Sequence, residues 1–72
     1  MRITYDTGAD AAYIRLTDAA LEPGRESLVV ETPTSNGELH LDWKDGKLVG
    51  IEVLCASTLL HEDLLGAAER LG

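Results

Sequence analysis

Phenylalanine is missing from this chain, and cysteine occurs only once, at Cys55. One thiol cannot close a disulfide within the chain, and no Cys/His cluster with zinc spacing is present. The two covalent and metallic supports of small folds are therefore excluded, and a lone thiol fits a reducing, cytoplasmic compartment. A chain of 72 residues buries only about 60% of the surface its unfolded form exposes. Self-association is the remaining common support, and a homo-oligomer, a dimer first of all, is expected.

Basic charge is equally scarce: six Lys and Arg stand against 13 Asp and Glu, for a net charge of −7. The cations Arg2, Arg15, Arg25, Lys44, Lys47 and Arg70 are scattered, so no basic stripe exists to displace counterions from phosphates. Nucleic acid and anionic membrane are excluded as direct partners, whereas a small basic protein is compatible. No apolar run approaches the roughly 20 residues that span a bilayer. Met1 is followed almost at once by strand-like sequence, so no signal peptide is expected.

Most of the continuous apolar sequence lies in LHLDWKDGKLVGIEVL, residues 39–54, which reads as two strands joined by a tight turn at Asp45-Gly46. A two-residue loop pairs Trp43 with Leu48 and Leu41 with Gly50, and both faces come out mixed. A three-residue loop, Lys44-Asp45-Gly46, ends on a glycine able to take positive φ. It pairs Trp43 with Lys47, Leu41 with Val49 and Leu39 with Ile51. One face then carries Leu39, Leu41, Trp43, Val49, Ile51 and Val53, and the other His40, Asp42, Leu48, Gly50 and Glu52. A one-residue slip exchanges faces, so the apolar pattern selects the three-residue loop with a glycine bulge.

The N-terminal residues 2–5 and 11–17 alternate as strands do. A four-residue loop, Thr7 to Asp10, pairs Tyr5 with Ala12, Ile3 with Ile14 and Met1 with Leu16. Arg2, Thr4, Tyr13 and Arg15 then share the polar face. Residues 26–32, ESLVVET, form a middle strand whose Leu28-Val29-Val30 core points both ways, which suggests cover on both faces. Pro33 to Gly37 is the clearest break and the expected site of mobility. After Leu54 the spacing of Leu60, Leu64, Ala68 and Leu71 is one helical stripe, with Ser57 or Thr58 as N-cap, Arg70 near its C-terminal end and Gly66 as a weak point. The expected architecture is α+β: one domain over residues 1–72, an antiparallel sheet of about five strands (two hairpins plus a middle strand), and one C-terminal α-helix across its apolar face.

Six residues are candidates for binding: Asp6, Asp10, Tyr13, His40, Asp42 and Glu52. Asp6 and Asp10 bracket a hairpin loop and could share a hard cation, but aspartates in turns ordinarily accept backbone N–H bonds, and no further oxygen ligand is evident. His40, Asp42 and Glu52 share a predicted face, as an acid/base set would. In the chosen pairing Asp42 opposes Leu48, His40 opposes Gly50 and Glu52 is diagonal to His40, so a solvated polar face or a subunit contact is preferred. Cys55 reads as a small, buried, inert thiol. His61-Glu62 begins like a zinc-protease helix but lacks the second histidine. No phosphate loop, dinucleotide fingerprint or serine elbow is present, so no catalytic residue, metal or cofactor is assigned.

Tyr5-Asp6 with Asp10, Tyr13-Ile14-Arg15-Leu16, Leu41-Asp42, and Asp45 through Leu54, followed by Ala56-Ser57 and Leu60, together resemble the bacterial domain-of-unknown-function family 2283. The resemblance covers roughly residues 1–60. It departs at Trp43, where relatives carry a plainer strand residue, and at residues 31–38, which look longer. It implies a small β-rich domain and no reaction. Similar small bacterial proteins sit beside toxin-like partners, which implies an antitoxin-type role. The reading of the residues themselves is a non-catalytic, homo-oligomerising interaction module. It is motivated by small size and by apolar residues on both predicted faces, Leu48 and Leu54 opposite Val49, Ile51 and Val53. The alternative is a small metal-dependent or hydrolytic enzyme using Asp6, Asp10, Asp42 and Glu52.

Overall fold

Alternation near the N-terminus closes as the residues require. In a computed structural model describing residues 1–34 and 36–71, β1 (Arg2–Asp6) and β2 (Ala11–Arg15) form an antiparallel hairpin with Ile3 opposite Ile14 and Tyr5 opposite Ala12. Its loop is Thr7 to Asp10, where the Asp6 carboxylate accepts from the Gly8 and Ala9 N–H groups at 3.0 and 3.2 Å. Ser35, inside the Pro33–Gly37 break, and Gly72 lie outside the described residues.

The second hairpin, β4 (Glu38–Lys44) and β5 (Lys47–Leu54), corrects the loop expected from sequence. Lys44 opposes Lys47, so the turn has two residues, Asp45 at φ 52° and Gly46 at φ 76°. Positive φ at both centres matches the twist of the flanking strands better than the ordinary turn types do. The bulge sits further along instead. Trp43 opposes Leu48 but Asp42 opposes Gly50, which leaves Val49 as the extra residue. Beyond it Leu41 meets Ile51 and Leu39 meets Val53, while Asp42 meets Gly50 and His40 meets Glu52. The apolar and polar sets therefore separate as anticipated, through different partners. Leu48 is the exception, since it stands opposite Trp43 and not with the polar set.

With β3 (Glu26–Val30), these strands assemble in the order β3-β4-β5-β2-β1-β6. Register aligns side chains into rows across the sheet. One face carries the row Leu28-Leu41-Ile51-Ile14-Ile3 and beside it Val30-Leu39-Val53-Ala12-Tyr5. The other face carries Ser27-Asp42-Gly50-Arg15 and Val29-His40-Glu52-Tyr13.

The single terminal helix expected from the leucine spacing is two short helices, α1 (Ala56–Leu59) and α2 (Glu62–Ala67), followed by a strand, β6 (Glu69–Leu71). Cys55 precedes α1 in a left-handed conformation with no side-chain cap, and the His61 imidazole caps α2 by accepting from the Asp63 N–H. β6 runs parallel to β1, so the sheet is mixed and six-stranded, not antiparallel and five-stranded. Arg70 consequently lies over the Tyr5 ring, 5.5 Å from its centroid, and not at a helix end. Tyr5, Ala12, Val53, Ala56 and Ala68 form the core cluster, bordered by Ile3, Leu39, Ile51, Leu59, Leu60 and Leu65. Both faces of β3 are open: Leu28 is 57% and Val29 62% exposed, contrary to the cover expected there. Among the described residues no helix is long and apolar enough to cross a membrane.

Candidate functional site

The polar face is organised around one buried carboxylate. Asp42, only 2% exposed, is the buried charged residue of the sheet. A carboxylate taken from water needs replacement donors, and β2, β3 and the residue just before β3 supply them. Tyr13 on β2 donates its hydroxyl at 2.8 Å, Ser27 on β3 donates its hydroxyl, and the Arg25 guanidinium approaches to 3.5 Å. Tyr13 is not adjacent to Asp42. Its ring crosses β5 above Gly50, and a Cβ built there would lie 2.5 Å from the ring Cζ. Burial and the bond to Asp42 together push the Tyr13 phenol above its ordinary range. Arg25 is also paired with Glu22 at 2.8 Å.

A second node closes the opposite face. Asp10, at φ 51°, accepts from the Tyr5 hydroxyl at 2.7 Å, from the Ser57 N–H at 2.9 Å and from the Ser57 hydroxyl at 2.6 Å. Its backbone carbonyl accepts from the Ala56 N–H at 2.9 Å. The first hairpin loop is thereby tied to the start of α1. The Ser57 hydroxyl foremost, then the Tyr5 hydroxyl and the Ser57 N–H, hold the Asp10 carboxyl below the usual range, while the bond to Asp10 raises the Tyr5 phenol. A depressed carboxyl adds stability above its unfolded pKa, about 3.9, that disappears as pH falls toward the folded value. Melting curves between pH 2 and 6, taken as an order-of-magnitude window around that value, should therefore show a steeper acid decline for the wild type than for Asp10→Asn. Parallel declines would mean that these bonds contribute nothing to folding.

The remaining candidates do not join these nodes. His40 and Glu52 face each other across β4 and β5, and the His40 imidazole lies 2.8 Å from Glu38. This corrects the expected placement of His40 opposite Gly50 and of Asp42 opposite Leu48. Asp6 serves its own turn. Cys55 is exposed, not buried, and His61 is occupied in capping. Among the described residues no group of three or more His, Cys, Asp or Glu could hold a metal ion. A shallow groove of about 400 Å³ beside the β4–β5 turn is lined by Thr17, Lys44, Lys47 and Leu48, with none of the six candidates. What Asp42 and Asp10 can do is hold strands and junctions in place, because their oxygens are already engaged.

Sequence reasoning missed Ser27, Arg25 and Ser57 as partners and Gly50 as the seat of Tyr13. Only Gly50 carried a signal, since an isolated glycine within a strand marks a close approach.

A family model described as "Protein of unknown function (DUF2283)" matches residues 2–57. The match includes both nodes and ends at Ser57, so α2 and β6 lie beyond it. No curated protein and no solved structure matches the chain.

Proposed function

The chain belongs to the DUF2283 family, and from what its sheet leaves uncovered we propose that it is a non-catalytic, self-associating interaction module. The observation that supports this reading is the row Leu28-Leu41-Ile51-Ile14-Ile3 on the apolar face. The terminal helices lie over the neighbouring row through Val53; Ile3 and Ile51 of this row pack against that cluster, Leu28 is exposed, and none of the five side chains is fully buried. Among the described residues Val53 is the one large side chain without exposure. A contiguous apolar row on so thin a core favours burial against a partner.

Hydrolytic or metal-dependent chemistry on Asp6, Asp10, Asp42 and Glu52 has less support. The first three already accept two or more hydrogen bonds each, and Glu52 is exposed. Light scattering on a size-exclusion column tests the reading. The expected mass is about twice that of the 7.8 kDa chain. A monomer at every concentration would overturn self-association. If such a monomer bound a small basic protein, the net charge of −7 would point to a heterologous, antitoxin-type partner instead.

A further inference from the structure

We propose that self-association runs along the outer edge of β3, which pairs antiparallel with β3 of a second copy in a register centred on Leu28. This rests on the self-association reading above and places the contact at a sheet edge, where the row through Leu28 is continued into the second copy and not covered by it. The sheet has two edges. β6 is three residues long and carries Glu69 and Arg70, with Glu69 paired to Arg2 at 2.7 Å. Short, charged edges of this kind resist pairing. β3 is the opposite case. Its five residues, Glu26–Val30, contain no lysine or proline, and residues 22 to 29 are all exposed. An uncovered apolar edge is a template for another strand.

Strand geometry restricts how two copies of β3 can meet. Backbone N–H and C=O groups point outward on alternate residues, and antiparallel partners must both point at each other. Opposed residues therefore have the same parity in the sequence, and their numbers sum to an even value. Side chains alternate with the same period, so each face of one sheet continues into the same face of the other. The twofold axis stands perpendicular to the sheet. In the register centred on Leu28, the row ending in Leu28 meets its own copy and becomes one apolar row across both subunits.

Charge selects among the allowed registers. Centring on Leu28 opposes Ser27 to Val29, Glu26 to Val30 and Arg25, whose guanidinium also serves Glu22 and Asp42, to Glu31 of the second copy, which sets opposite charges across the seam twice by symmetry. Centring on Val29 brings Leu28 against Val30 but sets Arg25 opposite Pro33, which has no N–H, and Ser27 opposite Glu31. Centring on Ser27 sets Glu31 opposite Pro23. Only the first uses both charges.

Single cysteines placed at Ser27, Leu28, Val29 and Val30 in a Cys55→Ala chain read the register directly. Under mild oxidation Leu28→Cys opposes itself at disulfide range, whereas the copies are out of alignment by roughly 7 Å at Ser27 and Val29 and roughly 14 Å at Val30. Leu28→Cys should therefore give covalent dimer at least about tenfold faster than the other three, a ratio set by alignment within the pair. Light scattering on the same samples separates the two claims. A dimer that cross-links fastest at Val29 or Ser27, or at none of the four positions, would overturn this register while leaving self-association standing. A chain monomeric at all concentrations would overturn both.

Discussion

Gly50→Ala is expected to lower the melting temperature by about 15 °C. This corresponds to roughly 2–3 kcal/mol for a domain of this size. The added Cβ would enter the Tyr13 ring. Backbone on either side is held in a central strand, paired to Asp42 and to Arg15, so the ring must leave. Leaving breaks its bond to Asp42 and removes one of the donors that make a buried carboxylate tolerable. The cause is checked by a double-mutant cycle monitored by Trp43 fluorescence. In a Tyr13→Ala background the three atoms closest to the new methyl are gone, and Gly50→Ala should cost far less or stabilise slightly, because glycine is a poor strand residue. Equal losses in the two backgrounds would refute the steric account.

Asp42→Ala should destabilise by about 3 kcal/mol, the range found when one partner of a buried charged network is removed. Two hydroxyls, Tyr13 and Ser27, would lose their acceptor, and Arg25 would keep only Glu22. Arg25 is 35% exposed at its side chain and Ser27 lies on an exposed strand, so water compensates both and the penalty comes chiefly from the Tyr13 hydroxyl. Combining Asp42→Ala with Tyr13→Phe and Ser27→Ala should recover part of the loss, since no orphaned group then remains. Urea unfolding of the four variants measures this. A triple variant weaker than the sum of its single changes would show that these groups do not act as one network.

Both effects lay largely outside what the chain reveals in one dimension. Strict alternation at Ile3, Tyr5, Ala12 and Ile14 left one sensible register for the first hairpin, and that register is observed. In the second hairpin, a three-residue loop and a two-residue loop followed by a bulge divide the far residues between the faces identically. Apolar patterning cannot tell them apart. Leu60, Leu64, Ala68 and Leu71 fit a helical stripe, but two helical turns followed by an extended segment satisfy the same spacing. A strand as short as Glu69–Leu71 has no period to detect. Asp42 reads as a solvent-facing charge until the strand order sets β5 between β4 and β2. That order decides which residues meet, and it is a property of the assembled sheet.

Val49, which has no partner on β4, also bears on how the length of this hairpin can vary. Removing one residue elsewhere in β5 would turn every later side chain to the wrong face. Removing Val49 would instead bring Leu48 next to Gly50 with both still opposite their present partners, Trp43 and Asp42. The turn would be kept, the rows would be kept, and the cost would be the burial of one valine side chain and the bond its carbonyl accepts from the Leu16 N–H at 3.0 Å. The bulge is thus the point in the hairpin where a single-codon deletion leaves the sheet's topology and faces unchanged.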